Sequence, residues 1–401
     1  MTAQKQFMKR QIIKALYFGQ EMSIAELSEN IRKSIPSTNN LILDLVKEGI
    51  VAEKGLALST GGRRAQQFSL RPDLFFILSV AVDQLETKIA LINNLNQLEG
   101  EIRNYNLTLK NNPEALQELI AIIEDFMAAS LVPRSMIIGA GIGMPGFVDP
   151  KLGTNHSFFG PPEVSISTAI SKKLDIPVFI DNDSSLIALA EHKWGAAKGH
   201  DNAMVVNIGW GVGLGMIVDG KLFRGHNGFA GEFSHISLFD NKIQCTCGKY
   251  GCLETESSLI YFGNLLKSTY SPATQTSIEF DESAPPKDIA KAGLIAAQSG
   301  DRYAIEKLAI PGYNVGRGLA ILIHLLNPEL VVISGLGSLA GKVWLAPIQQ
   351  GINEHSILKL SEQTSLTLST LRYDASLFGA AALVMDQAEK LNIKPKPVRI
   401  R

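Results

Sequence analysis

Cysteine is scarce in this 401-residue chain: Cys245, Cys247 and Cys252 are the only three, and they fall within eight residues. An odd count at such spacing excludes a disulfide framework and suggests thiolate ligands for a metal in a reducing compartment. Long apolar runs are missing too: no stretch approaches the ~20 residues that a membrane span needs. The opening MTAQKQFMKR lacks the apolar core and small-residue cleavage site of a secretory leader. A cytoplasmic protein with no membrane partner is therefore expected. Net charge is nearly absent, −1 overall, which argues against a chain coated in nucleic acid. What is abundant is apolar material, 45% hydrophobic against 19% charged with 35 glycines, which excludes overall disorder or a coiled coil. At roughly 150 residues per domain, two or three domains are expected. The charge is also unevenly spread. Residues 1–70 hold ten Lys and Arg against six Asp and Glu, and the other 331 hold 28 against 33. A small basic module precedes a larger, mildly acidic body.

Within that module, Phe7, Ile12, Ile13, Leu16 and Tyr17 are spaced as one helix face, ended by Gly19. Ser23 and Glu26 form the ends of a capping box that opens a short second helix. Ser34 is read as the N-cap of a third, with Pro36 in its first turn and Thr38, Leu41, Ile42 and Leu45 along one side. Ile50-Val51-Ala52 and Gln67-Phe68-Ser69-Leu70 read as two strands joined by a loop bearing Gly61-Gly62-Arg63-Arg64. Three helices and a hairpin make a winged helix-turn-helix over residues 1–72. Its third helix would enter a major groove, so Ser37, Asn39 and Asn40 are candidate base contacts. Arg63 and Arg64 on the wing suit phosphates or a narrow minor groove. The partner would be a double-stranded DNA operator; the plainer alternative is a helical protein-interaction domain.

From residue 75 strands alternate with helices. Runs 77–82, 136–142, 178–180, 204–208 and 330–334 are strand-like; 113–129, 184–194, 301–327 and 378–389 are helix-like. An α/β body of this length exceeds one core, so two lobes are expected. Residues 268–288 read as an exposed loop, and the tail from Lys394 to Arg401 as extended and solvated. No internal repeat is visible in the residues.

His235 precedes the cysteines as His-x9-Cys-x-Cys-x4-Cys. Four such ligands in eighteen residues match a closed tetrahedral zinc site, and Gly248 and Gly251 permit the turns that gather them. With no open position the Zn2+ would be structural. The alternative is buried free cysteine beside a core histidine.

At these residues the sequence resembles the ROK family (repressors, open reading frames, kinases). The marks are the block Cys245-Thr246-Cys247-Gly248-Lys249-Tyr250-Gly251-Cys252-Leu253-Glu254, and Gly231-Glu232-Phe233-Ser234-His235 before it. Gly139-Ala140-Gly141-Ile142-Gly143-Met144-Pro145-Gly146 and Asp181-Asn182-Asp183 add to them, with Gly61-Gly62-Arg63-Arg64 in the wing. The resemblance implies a two-lobed actin-like, ribonuclease H-like ATPase-fold body over 73–401. Its small lobe would be about 73–182 plus a C-terminal helix 376–390, and its large lobe about 183–375. It also implies a sugar bound by Asn182, Asp183, Glu232, His235 and Glu254, with Asp183 at the position of the kinase members' base. His235 would serve zinc and sugar at once. Ser234 stands where a glycine is usual and would narrow the choice of sugar.

The phosphate elements depart from the kinase pattern. Kinase members use Asp-x-Gly-Gly-Thr-Lys to approach ATP, whereas here Asp83-Gln84-Leu85-Glu86-Thr87-Lys88 puts a side chain and a carboxylate in that space. Trp210 occupies a second loop where kinases carry a small Thr. The third segment, Ser334-Gly335-Leu336-Gly337, still looks like a nucleotide loop. No catalytic residue is therefore assigned, and Asp183 is read as a vestigial base. The sequence points to a sugar-responsive regulator of carbohydrate genes, most simply a repressor, binding an inverted-repeat operator as a homodimer or homotetramer. Its effector would be a sugar or sugar phosphate. An active sugar kinase with an accessory N-terminal domain is the alternative, and a sensor whose head binds another protein is a third reading.

Overall fold

The computed structural model describes residues 3–56, 64–159, 165–281, 283–391 and 393. Arg63 with its two glycines, and the tail from Lys394, lie outside the described residues.

Helix α1 (Ala3–Gly19) buries Ile12, Ile13, Leu16 and Tyr17 as its spacing requires. Strand β1 (Glu21–Ser23) leads into α2 (Ile24–Asn30), whose capping box is complete: the Ser23 hydroxyl accepts from the Glu26 N–H while the Ser23 N–H donates to Glu26 Oε2 at 2.7 Å. Helix α3 (Ile35–Lys47) buries Thr38, Leu41, Ile42 and Leu45. Ser34 occupies its N-cap position but makes no side-chain cap. Pro36, at the second helical position, lacks one of the two N–H groups that a capping hydroxyl reaches. Strands β2 (Val51–Leu56) and β3 (Gln66–Leu70) pair antiparallel, and β1 joins them as a third strand in the order β1-β3-β2.

This head belongs to the first of two compact units, residues 1–182 with 377–401. The unit's sheet contains β4 (Phe76–Val82), β5 (Glu86–Asn93) and β6 (Leu98–Asn106) as an antiparallel meander. Helix α4 (Ala115–Ala128) precedes β7 (Ile137–Met144), which lies parallel to β4. A small hairpin, β8 (Val148–Asp149) with β9 (Thr154–Asn155), and α5 (Ile166–Leu174) follow. Strand β10 (Val178–Asn182) then adds parallel to β7, giving the order β10-β7-β4-β5-β6.

The second unit, 183–376, opens with α6 (Asp183–Trp194) and the meander β11 (Ala203–Ile208), β12 (Val212–Val218) and β13 (Lys221–Phe223). Helices α7 (Leu259–Thr269), α8 (Pro286–Gln298) and α9 (Arg302–Leu326) pack over one core, in which Phe262, Leu294 and Leu319 are fully buried. Strand β14 (Leu330–Ser334) runs parallel to β11. Helices α10 (Leu345–His355) and α11 (Leu358–Ser361) then lead to β15 (Ser365–Leu368), parallel to β14. Helix α12 (Ala375–Asp386) begins at the end of this unit and continues in the first. In chain order the two sheets have the same plan: three meandering strands, then two parallel strands added beside the first. The chain does contain a repeat, then, one of topology that the residues do not display. The segment after α7 is not simply exposed, since Ile278 is buried and Phe280 stacks on Tyr270 at 3.9 Å.

The head is seated on its own unit through α1. Tyr17 is fully buried with its ring 6.5 Å from Phe75. Lys14 Nζ meets Asp386 Oδ1 at 2.9 Å and the Asp386 carbonyl at 3.0 Å, while Arg10 donates to the Glu389 carbonyl at 2.5 Å. The cations thus sit against the last carbonyls of α12 and the turn after it, where the helix dipole is negative.

Near the end of α6, Glu191 is wholly buried, accepting from the Ala196 N–H at 2.8 Å and from the Ser369 hydroxyl. Burial pushes its carboxyl above the ordinary glutamate value of 4.5, against the pull of the Ser369 and backbone bonds. The folded state therefore holds this proton to higher pH than the unfolded chain. Its contribution to stability is largest below the unfolded value and declines as pH rises through the folded one. Chemical denaturation of wild type and Glu191→Gln between pH 4 and pH 8 should show that decline in the wild type and a flatter profile in the variant.

Candidate sugar and metal site

The metal candidates are gathered by local turns. The Cys245 N–H donates to the Lys249 carbonyl at 2.8 Å and the Gly248 N–H to the Cys245 carbonyl at 2.9 Å, closing a knuckle in which Gly248 has φ 86°. Gly251 has φ 73°, and a Cβ there would lie 2.0 Å from the Phe239 carbonyl oxygen, so only glycine serves. The ligand atoms of His235, Cys245, Cys247 and Cys252 all lie within 4.8 Å of one another. His235 Nδ1 is 3.4 Å from Cys245 Sγ, and Cys247 Sγ is 3.6 Å from Cys252 Sγ. Zinc at ordinary bond lengths gives tetrahedral edges of about 3.5 Å for N···S and about 3.8 Å for S···S. The four side chains therefore fit one tetrahedral ion. With no metal, burial and the neighbouring thiols push Cys252 up to about 12, so an ion entering here must displace protons.

His235 faces two ways. Its Nδ1 points to the thiols, and Nε2 lies 3.7 Å from Glu232 Oε2. Burial raises Glu232 above the ordinary carboxylate range; the charge of His235 opposes this and that of Glu254 adds to it. Glu254, in the turn Leu253–Glu256 directly after Cys252, accepts from the Val212 N–H at 3.2 Å. The structure thus brings Glu232, His235 and Glu254 together, on segments flanking the cysteine knuckle. Ser234 is only 4% exposed.

Asp183 is the first residue of α6. Its Oδ1 accepts from the Ser184 N–H at 2.7 Å and the Ser184 hydroxyl at 3.2 Å. Asn182, the last residue of β10, belongs to the other unit, where its Nδ2 donates to the Gly146 carbonyl at 3.2 Å. A feature that sequence reasoning missed is the role of the alternating glycines on β12 and in the turn just before it. A Cβ at Gly211 would lie 2.6 Å from Glu254 Oε2, at Gly213 2.1 Å from Ser184 Oγ, and at Gly215 2.3 Å from Ala188 Cβ. Glycine at every second position leaves one strand face bare, and α6 and Glu254 press against it. The period-two spacing was the available signal.

The candidate DNA contacts are on the head. Ser37 and Asn40 are exposed, Asn39 is half-buried, and Arg64 is exposed before β3.

The ROK family model matches residues 79–387. The chain belongs to the ROK family. A xylose repressor of Caldicellulosiruptor bescii is 29% identical over 394 residues, covering 96% of each chain. A glucokinase of Halalkalibacterium halodurans is 32% identical over 268 residues, 64% of this chain and 79% of its own. Among solved structures, a ROK family transcriptional regulator, homologous to the MLC protein of E. coli, superposes with TM-score 0.76 at 24% identity, covering 97% of each chain. The fold of this ROK chain is therefore the actin-like α/β type with two-domain architecture.

Within that fold the turn joining β4 to β5 is closed on itself. Asp83 Oδ1 accepts from the N–H groups of Leu85, at 2.8 Å, and Glu86, at 3.3 Å, and the Asp83 N–H donates to the Glu86 carbonyl at 2.9 Å. The Leu85 and Glu86 amides thus share one anionic partner, the Asp83 carboxylate. The equivalent turn of the second unit carries Trp210, half-buried, with Lys291 Nζ 5.6 Å above its ring. Among the described residues no helix is long and apolar enough to cross a membrane.

Proposed function

We propose that this ROK protein is a sugar-responsive, DNA-binding transcriptional repressor without kinase activity, working in the cytoplasm. The observation that carries the reading is coverage. The relative named a xylose repressor aligns over 96% of this chain, and the glucokinase leaves about a third of it unmatched. In this reading residues 1–72 are a winged helix-turn-helix and 73–401 a sugar-binding body, its small lobe 73–182 with 376–390 and its large lobe 183–375. The exposed face of α3 offers Ser37 and Asn40 to base edges and Leu43 to a thymine methyl group, with Asn39 beside them and Arg63 and Arg64 on the wing for phosphates. Asn182, Asp183, Glu232, His235 and Glu254 hold the sugar or sugar phosphate, and His235 with the three cysteines holds a structural Zn2+. Asp183 serves as a hydrogen-bond acceptor. Two copies, or four, bind an inverted repeat with half-sites a whole number of helical turns apart.

The closed Asp83 turn and Trp210 support the absence of phosphoryl transfer. Intact Asp183 and the glucokinase relative favour the kinase alternative, and one experiment separates the two. The purified protein is taken through selection of genomic DNA fragments, then assayed for release by D-xylose, D-glucose, N-acetylglucosamine and their phosphates, and for ATP turnover with each sugar. Specific fragments released by one sugar, with no turnover, are expected. Sugar-dependent ATP turnover without selected fragments would replace the repressor with a kinase. On the selected operator, Arg64→Ala should weaken binding and reduce the slope of log K against log salt by about 0.9 for each bound copy, one phosphate contact per copy. An unchanged slope would remove Arg64 from the interface.

A further inference from the structure

We propose that Asn207 is the positioning residue that fixes the carboxylate of Asp183 for the sugar; this rests on the sugar-binding reading above. Asp183 begins a helix, and its Oδ1 is held by that helix's own N–H and hydroxyl from Ser184. The other oxygen, Oδ2, is met from a different element. Asn207, on β11, reaches across. Its Nδ2 is 3.4 Å from Asp183 Oδ2 and donates to Ser184 Oγ at 3.1 Å. A carboxylate only accepts, so the NH2 end of the amide must be the end that faces Asp183. One amide thus ties the carboxylate and the hydroxyl into a single network, with each carboxylate oxygen held from a different element.

The backbone around this network leaves it no slack. A Cβ at Gly335 would lie 2.2 Å from Asn207 Oδ1, and one at Gly213 would lie 2.1 Å from Ser184 Oγ. Asn207 pairs with Gly213 on one side and with Ser334, next to Gly335, on the other, so both clearances belong to its sheet neighbours. Gly335, read from sequence as part of a nucleotide loop, acquires a second reason to be glycine: it admits the amide that orients Asp183. A hydroxyl-binding carboxylate gains most from such pre-orientation, because a sugar cannot supply the ordering of a loose side chain without losing affinity.

The isosteric variant Asn207→Asp separates hydrogen bonding from packing. It keeps the shape and replaces the donor with a second negative charge beside Asp183. Isothermal titration with D-xylose, D-glucose and N-acetylglucosamine should show binding of the recognised sugar weakened about 10-fold in Asn207→Ala and on the order of 100-fold in Asn207→Asp. In an Asp183→Asn background, Asn207→Ala should change affinity less than twofold, since its effect passes through the Asp183 carboxylate. Zinc content and melting temperature serve as controls for folding. Ligand-free crystal structures of wild type and Asn207→Ala give a readout independent of any sugar: Asp183 in one rotamer in the first and displaced or split in the second. An Asp183 side chain that is unmoved in Asn207→Ala, or an Asn207→Asp variant that binds sugar as wild type does, overturns the proposal. If no sugar binds the wild type, the sugar reading of the site fails, and the rotamer comparison still decides whether Asn207 orients Asp183.

Discussion

Asp183→Ala is expected to lower the affinity for the effector sugar by about 100-fold, the equivalent of two hydrogen bonds to a charged acceptor. The ligand-free protein should melt within a few degrees of wild type, since the side chain is at a helix start and its removal opens no core cavity. The consequence for regulation follows from linkage. A sugar shifts the equilibrium between DNA-binding and released forms only by its differential affinity for them, so a protein that no longer holds the sugar keeps its operator at any ordinary sugar concentration. Titration calorimetry gives the first number and sugar-dependent release of a labelled operator the second. If affinity stays within threefold of wild type, Asp183 is not a sugar contact.

Cys252→Ser should have the other large effect. The expected result is a fall from one zinc per chain to substoichiometric metal, together with loss of measurable sugar binding. The reason is placement. Glu232 and His235 lie just before the knuckle and Glu254 just after Cys252, so an ion bridging His235 and the three cysteines fixes the segments that carry them. Metal binding in small zinc modules is worth on the order of 10 kcal/mol. Here the second unit has its own helical core behind the site, and the loss should therefore be local. Hydrogen exchange should rise sharply over residues 231–256 and little in α9 or β14. Exchange that rises evenly through the whole second unit would mean the ion supports its folding as a whole. Unchanged exchange with full zinc would mean that Cys252 is not a ligand.

The sequence made the metal cluster legible because its ligands are close in the chain and use every cysteine present. The helices of the head were legible because caps and helix spacing are local signals; the three-residue β1, the exposure of Phe7 and the missing hydroxyl cap at Ser34 escaped. Strands β5, β6, β12, β13 and β15 were harder, since short edge and meander strands carry little periodicity of their own. The repeated sheet plan was invisible for a different reason: equivalent positions such as Asp83–Glu86 and Gly209–Gly211 share a place in the topology and almost no chemistry. Asn207 was out of reach in the same way. Its role depends on a helix start twenty-four residues earlier and a glycine on a third element, and no spacing rule joins them.

The seating of α1 has a bearing on how the protein is made. Lys14 and Arg10 find their partners 372 and 379 residues further along the chain. At typical synthesis rates of 5–20 residues per second, roughly 20 to 75 seconds separate the appearance of the head from the appearance of its seat. The second unit is one unbroken stretch, 183–376, and is complete while the first still lacks its final segment. The first helix to be synthesised is thus among the last to complete its contacts, and a polypeptide cut short before Asp386 would carry a head held at Phe75 but without the partners of Lys14 and Arg10.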